Sequence, residues 1–223
     1  MERVEYLKKE YKAIFEESCS HMKHIKVRVH LNENAHPCHI RAHPVPLTLR
    51  EHVADELPDM VDRGTLRDTS RVESSQWASP IVAVLKSNGK VQICADFTYT
   101  ISPIVDKHLY PIPHPYELFM DIAVSSYFSK LDFAHFYEQY ALDDESNRCC
   151  VIKTPLGLFR YNILPYGLAS APTIVQAAQE KLLEGIPGVK FYIDDVLIFS
   201  KSRDERFKTL EEVYRRIERL VLV

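Results

Sequence analysis

Residues 191–199, which read Phe-Tyr-Ile-Asp-Asp-Val-Leu-Ile-Phe, place two adjacent carboxylates between two apolar segments. Apolar, β-branched runs bounded by turn residues predict strands, here at 189–193 and 196–200. The side chains of Asp194 and Asp195 repel each other unless positive charge lies close by. One interpretation is a simple turn, because Asp favours turns. The other is a site that binds a cation.

A third carboxylate ends another apolar segment upstream. Residues 127–133 predict a buried strand, and an unpaired charge at Asp132 would be costly in a core. Asp132 could instead be the N-cap of a short helix that follows. Carboxylates at the ends of adjacent strands are the oxygen ligands that Mg²⁺ prefers. Two such ions can activate a hydroxyl and stabilise a leaving pyrophosphate, so the three carboxylates together predict nucleotidyl transfer.

The other elements follow from periodicity, caps and turn residues. Helices are predicted at 2–18, 48–63, 170–183 and from 202 onward. Strands are predicted at 26–31, 80–85, 90–96, 149–153 and 158–161, with 37–46 extended because of its prolines. Asn88-Gly89 predicts a tight hairpin turn. This mixture of strands and helices predicts an α+β fold.

Composition sets limits on the function. The 223 residues are 46% hydrophobic and 26% charged, and no apolar run approaches the roughly 20 residues that a membrane span needs. No G-x-G-x-x-G or G-x-x-x-x-G-K-[ST] loop is present. Five cysteines without a C-x-x-C pair favour a reducing compartment. The formal net charge of −3 gives no general reason to expect nucleic acid as a partner.

Six motifs occur in a recognisable order. They are Trp77-Ala-Ser-Pro-Ile-Val, Ile93-Cys-Ala-Asp96-Phe, Tyr110-Pro-Ile-Pro113, Phe128-Ser-Lys-Leu-Asp132 with Tyr137 following, Leu164-Pro-Tyr-Gly-Leu-Ala-Ser-Ala-Pro172, and Tyr192-Ile-Asp-Asp195. In order and spacing the chain resembles the reverse transcriptases of gypsy-type LTR retrotransposons and, more distantly, of retroviruses. The resemblance runs from about residue 25 to the C-terminus.

The resemblance implies the fingers and palm of a right-hand polymerase, the palm having a ferredoxin-like βαββαβ core. Residues 25–105 and 140–170 would form the fingers, and 106–139 and 171–223 the palm. Residues 1–24 would be a helical segment that leads into the domain. The chain is expected to end before the last palm strand and the thumb.

The resemblance also implies the metal site. Asp132, Asp194 and Asp195 would be the catalytic carboxylates and would hold two Mg²⁺ ions, for which Mn²⁺ could substitute. The backbone carbonyl of Phe133 would be a further ligand.

Other positions would bind nucleotide and nucleic acid. Tyr137 would exclude the 2′-hydroxyl of ribonucleotides, although it could also be a plain core tyrosine. Pro165, Tyr166 and Gly167 would line the nucleotide pocket. The residues implied for the primer and template side are Tyr192, Gln176 and Trp77. Lys86 could contact the triphosphate or could simply be solvated.

Several departures from the family pattern leave a rival hypothesis open. Gln92 and Thr98 stand where relatives commonly place cations, which removes positive charge from the region expected to hold phosphates. Val175 and Ala177 replace a usual Phe and Arg. The rival is therefore a catalytically dead or truncated remnant that binds nucleic acid or protein. A weaker rival is a zinc module built on His36, Cys38, His39 and His43, although the prolines there force an extended chain.

The implied partners are a template, RNA or DNA, with its primer, and deoxynucleoside triphosphates. RNase H and integrase domains of the same polyprotein are also implied, and no membrane. The expected location is cytoplasmic, in a retroelement particle, or nuclear.

Overall fold

The computed structural model describes residues 2–15, 25–70, 74–87, 89–105, 115–133, 136–192 and 195–222. Its α-helices are α1 Glu2–Glu10, α2 Arg50–Asp62, α3 Pro115–Ile122, α4 Asp144–Cys149, α5 Ala171–Leu182 and α6 Arg203–Leu222. Its strands are β1 Lys26–Val27, β2 Leu66–Asp68, β3 Ile81–Leu85, β4 Val91–Ala95, β5 Tyr127–Asp132, β6 Ala141–Leu142, β7 Val151–Thr154, β8 Gly157–Tyr161, β9 Val189–Tyr192 and β10 Asp195–Ser200. Short 3₁₀ helices lie at Lys12–Phe15, Leu47–Leu49 and Phe136–Gln139.

The chain divides into two compact units. The first contains Met1–Ile25, Tyr110–Phe136 and Val175–Val223, and the second contains Lys26–Leu109 and Tyr137–Ile174. None of the helices in the described ranges has the length and apolar character that crossing a membrane requires.

A three-stranded antiparallel sheet organises the first unit, in the order β5–β10–β9. Because β10 is antiparallel to both neighbours, β5 and β9 run parallel to each other with one strand between them. α5 lies between β5 and β9 in the chain, so this is a split βαβ arrangement of the ferredoxin-like kind. The predicted α+β fold is confirmed.

One face of this sheet packs against helices to form the core of the first unit. Phe191, Val196 and Ile198 point into it, because alternate strand residues share a face. From α6, the apolar positions predicted by the helical periodicity are buried there: Phe207, Leu210, Val213 and Ile217. The N-terminal segment joins the same core through Leu7 and Tyr11. The core therefore fixes β5, β9 and β10 against α6, and the opposite face of the sheet is turned away from this core.

In the described part of the second unit, the strands form three small sheets. β8 pairs with β2 and β7, β3 and β4 form a hairpin, and β1 pairs in parallel with β6. The hairpin turn is closed by the Lys86 N–H, which donates to the Lys90 carbonyl, and Gly89 has a φ of 80° as the Asn-Gly prediction requires. Asn88 lies outside the described residues. Leu57, Phe97 and Tyr140 are completely buried in this unit.

Two predicted boundaries are wrong. The strand predicted at 26–31 ends at Val27, because the Val29 N–H donates to the Ser146 hydroxyl instead of a neighbouring strand. The strand predicted from residue 149 begins at Val151, because Cys149 ends α4. The helix predicted at 2–18 is α-helical to Glu10 and continues as the 3₁₀ turn; residues 16–18 lie outside the described ranges.

Candidate functional site

Asp132 and Asp195 face each other across two strands of the first unit. Asp132 ends β5 and Asp195 begins β10, and the two are direct register partners in the antiparallel pair. The Cβ atoms of such partners lie about 4.5–5.5 Å apart. Tyr192 of β9 is the register partner of Asp195 on the other side, so three predicted site residues form one row. Asp194, the third predicted carboxylate, lies outside the described residues.

Asp132 and Asp195 stand on the face of the sheet that is turned away from the core. Period-two alternation puts Lys130, Leu197 and Lys190 in the next row of the same face, and these three are register partners as well. Asp132, Lys130 and Lys190 are exposed, whereas Asp195 and Leu197 are half-buried. The sheet thus presents carboxylates at its end and two lysines one row away.

Lys130 contacts the carboxylate pair. The Nζ of Lys130 lies 2.7 Å from Oδ2 of Asp195, and the two side chains are 63% and 35% exposed. The contact follows from the register, because residue 130 is the diagonal neighbour of residue 195. Positive charge is therefore accommodated at one oxygen of the pair.

The residues present fit a divalent metal ion. Two carboxylates at the ends of adjacent strands supply hard oxygen ligands, and a solvated face leaves room for water and phosphate oxygens. Within the described ranges, no three His, Cys, Asp or Glu side chains come together as a metal site. Of the three predicted carboxylates, Asp132 and Asp195 lie within the described residues.

The other predicted residues of the first unit have different surroundings. Phe133 is half-buried and packs against the core of the unit. Gln176 of α5 is only 1% exposed, and its amide nitrogen donates to Oε1 of Glu180 at 2.7 Å. Its amide oxygen has no hydrogen-bond partner among the described residues. A template contact by Gln176 stays a prediction.

In the second unit, the structure brings two predicted nucleotide-binding residues together. The rings of Tyr137 and Tyr166 meet edge to face, with centroids 5.1 Å apart and planes at 78°. Pro165 is buried and Tyr166 is half-buried. Gly167 has a φ of 95°, and a Cβ there would overlap the carbonyl oxygen of Ala95. The backbone passes so close to the end of β4 that only glycine fits without strain.

The other predicted residues of this unit lie on the β3–β4 hairpin or next to it in the chain. Lys86 is exposed beside the turn. Gln92 is half-buried and is the register partner of Val84, which is 48% exposed, so both lie on the outward face of the hairpin. The backbone N–H of Thr98 donates to Oδ1 of Asp96. Trp77 is half-buried, and its backbone N–H donates to the Ser75 hydroxyl. His39, from the histidine-rich stretch, lies with Nδ1 3.2 Å from the Ser75 carbonyl oxygen.

The family of the chain follows from its similarity to known proteins. A family model described as reverse transcriptase (RNA-dependent DNA polymerase) matches residues 86–222, which is more than half of the chain. The chain belongs to the reverse transcriptase family.

Curated relatives of this reverse transcriptase chain include polyproteins of transposons. It is 31% identical over 214 residues to the uncharacterized protein K02A2.6 of Caenorhabditis elegans, a match that covers 95% of this chain and 17% of that protein. It is 26% identical over 210 residues to the transposon Tf2-3 polyprotein of Schizosaccharomyces pombe, covering 91% of this chain and 15% of the polyprotein. The chain therefore spans less than a fifth of the length of these relatives.

Solved structures show the same fold. The crystal structure of the CSH mutant of the prototype foamy virus protease-reverse transcriptase matches with a TM-score of 0.84 at 18% identity, covering 99% of this chain and 29% of that one. The foamy viral protease-reverse transcriptase in complex with an RNA/DNA hybrid also matches with a TM-score of 0.84 at 18% identity, covering 98% and 29%. The reverse transcriptase fold predicted from the six motifs is confirmed.

Sequence reasoning missed one residue of this reverse transcriptase site. Lys130 lies inside a quoted motif, yet no role was predicted for it. Its two-residue spacing from Asp132 puts both on the same face of a strand, which is a usable signal. Its contact with Asp195 depends on the register between β5 and β10, which the sequence does not state.

Proposed function

We propose that this chain forms the catalytic part of an RNA-directed DNA polymerase and adds deoxynucleotides to a primer 3′-hydroxyl by two-metal catalysis. The observation that carries the proposal is the direct opposition of Asp132 and Asp195 on an exposed sheet face in a member of the reverse transcriptase family. We assign the first unit to the palm and the second to the fingers. Asp194 would complete the carboxylate set.

The metal ions, Mg²⁺ or in its place Mn²⁺, would supply Lewis-acid activation of the hydroxyl and charge stabilisation of the leaving pyrophosphate. Asp132 and Asp195 would hold them, because both carboxylates project from paired strand ends whose positions the sheet fixes. The backbone carbonyl of Phe133 would add a ligand next to Asp132. Tyr192 would support the primer terminus from the neighbouring strand.

For the second unit, we propose nucleotide selection. Tyr137 would exclude a 2′-hydroxyl, because its ring is braced by Tyr166 and cannot easily turn aside. Pro165 and Gly167 would shape the pocket, and Lys86 would contact the triphosphate as a flexible point charge. Trp77 and Gln176 would act on the template side.

The proposal extends to partners and location. The foamy virus relative was solved with an RNA/DNA hybrid, and the Tf2-3 relative is a transposon polyprotein. By analogy, the partners of this chain would be a primed RNA or DNA template and deoxynucleoside triphosphates. RNase H and integrase domains of one polyprotein would accompany it, in a cytoplasmic particle or in the nucleus.

Primer extension tests the proposal. Wild-type protein with Mg²⁺, a primed RNA template and deoxynucleotides is expected to extend the primer. Asp195→Asn is expected to lower the rate by about 10³-fold or more, because the amide cannot replace a charged ligand. Asp204→Asn is the matched control, since Asp204 is a surface carboxylate of α6 that pairs with Arg3. Equal extension by the wild type and Asp195→Asn would contradict the proposal.

A further inference from the structure

The carboxylate pair of the first unit already has a cation beside it. Asp132 and Asp195 are direct register partners, so their negative charges repel each other across β5 and β10. The ammonium of Lys130 lies 2.7 Å from Oδ2 of Asp195, on the same sheet face as both carboxylates. It therefore reduces the negative charge of the pair from within the protein.

We propose that Lys130 is a resident counter-cation of this pair, which neutralises and positions Asp195 in the metal-free protein and competes with a divalent metal ion for the same oxygen. The inference rests on the proposed function, because it concerns the same carboxylates. Lys130 is a positioning residue, since it acts through Asp195.

The exposure of the contact makes such an exchange possible. The Lys130 side chain is 63% exposed, and exposed ion pairs are individually weak. A strongly hydrated ammonium on a flexible stem can leave the carboxylate for water at little cost. Its Cα stays fixed by the β5–β10 pairing, so the ammonium remains within reach of the site after displacement. A weak, tethered cation can thus yield to a divalent ion and return when the ion leaves.

Metal affinity gives the first test, with Mn²⁺ alone as the probe and free Mn²⁺ measured by electron paramagnetic resonance. Lys130→Met keeps most of the side-chain length and removes the charge. It is expected to bind Mn²⁺ about three- to tenfold more tightly than the wild type, because one positive charge near the site is gone. Lys130→Arg, which keeps the charge, is expected to restore an affinity close to that of the wild type.

Lys208→Met is the matched control. Lys208 is an exposed lysine of α6 in the same unit, and its replacement changes the net charge by the same amount. It is expected to leave the Mn²⁺ affinity unchanged. An equal gain in affinity in Lys208→Met would attribute the effect to net charge and would overturn the inference, as would unchanged or weaker binding by Lys130→Met.

A second measurement uses the metal-free protein, with thermal unfolding followed in the presence of EDTA. In the wild type, Asp195→Asn removes both the repulsion from Asp132 and the attraction to Lys130. In Lys130→Met, the attraction to Lys130 is already absent, so the same substitution loses less. The substitution is therefore expected to change the unfolding midpoint more favourably in Lys130→Met than in the wild type, by about 1–3 °C. The same shift in both backgrounds would overturn the inference.

The two measurements separate this inference from the proposed function. Mn²⁺ binding by the wild type with unchanged affinity in Lys130→Met would overturn the counter-cation role and leave the proposed function standing. Failure of both proteins to bind Mn²⁺ would overturn the metal site and the inference together.

Discussion

Two aspartate sites in this chain have opposite surroundings. Asp143 of the second unit caps α4 by accepting the Ser146 N–H at 2.8 Å, and it accepts a second bond from Nε of Arg28 at 2.6 Å. In the first unit, Asp132 and Asp195 face each other, and Lys130 contacts one of them. Asp143 is satisfied by groups that belong to the fold, whereas the pair brings like charges together. Two like charges placed side by side on an exposed face favour the binding of a cation.

The largest expected effect is a separation of activity from stability between the two sites. Asp132→Asn is expected to lower the primer-extension rate by about 10³-fold or more without lowering the free energy of unfolding, because it removes repulsion. Asp143→Asn is expected to retain activity. Rates and urea unfolding of both variants check this. Equal losses of activity at the two sites would contradict the assignment of catalysis to Asp132.

Stability is expected to fall at the other site. Asp143→Ala removes the N-cap and leaves Arg28 without that partner, and caps of this kind contribute about 1–2 kcal/mol. Urea unfolding at neutral pH measures the change. The corresponding substitution Asp195→Ala is expected to cost less stability than Asp143→Ala, and a larger cost there would contradict the account.

The contribution of Asp143 is also expected to depend on pH. Partial burial raises the pKa of Asp143, but hydrogen bonds from Ser146 and the Arg28 guanidinium outweigh burial, so the net pKa is lowered. A lowered pKa gives stability that is complete above the unfolded pKa of about 3.9 and is lost as pH falls through the folded pKa.

The substitution Asp143→Asn isolates this effect, because an asparagine side chain can still cap the helix and only the charge is lost. The difference in the free energy of unfolding between the wild type and Asp143→Asn is expected to be constant above about pH 5 and to shrink below the unfolded pKa. A difference that grows as pH falls would contradict the assignment.

The smallest effect concerns a buried polar residue. Gln179 of α5 is completely buried, and neither amide atom has a hydrogen-bond partner among the described residues. Gln179→Met is expected to raise the free energy of unfolding by about 1 kcal/mol, because it removes an unpaired amide at similar volume. Gln179→Glu is the control and is expected to lower it. Gln179 is not among the proposed site residues, so activity is expected to stay unchanged.

Sequence patterns predicted the elements whose periodicity is strong. β3, β4, β5, α5 and α6 lie where alternation and helical spacing place them. The strand at 26–31 failed because the Val29 N–H bonds to a side chain distant in sequence. α4 went unrecognised even though Asp143 and Ser146 have the spacing of an N-cap and its donor.

The site was only partly accessible from sequence. The motifs predicted Asp132, Asp194 and Asp195 as one carboxylate set, because carboxylates that end apolar strands are unusual. Their direct opposition, and the reach of Lys130 to Asp195, depend on strand register, which is set by the packed sheet. The meeting of Tyr137 and Tyr166 is likewise a tertiary contact between distant positions.

Asp132 and Asp195 are proposed to hold the catalytic metal ions. The most direct experiment replaces Mg²⁺ with Fe²⁺ in the presence of a primed template and a deoxynucleotide. Ascorbate and peroxide are then added, so that hydroxyl radicals formed at the bound ion cut the protein chain nearby. Fragments that end close to residues 132 and 195 are expected, and they are expected to be lost in Asp195→Asn but not in Asp204→Asn. Cuts elsewhere, or fragments that persist in Asp195→Asn, would contradict this proposal.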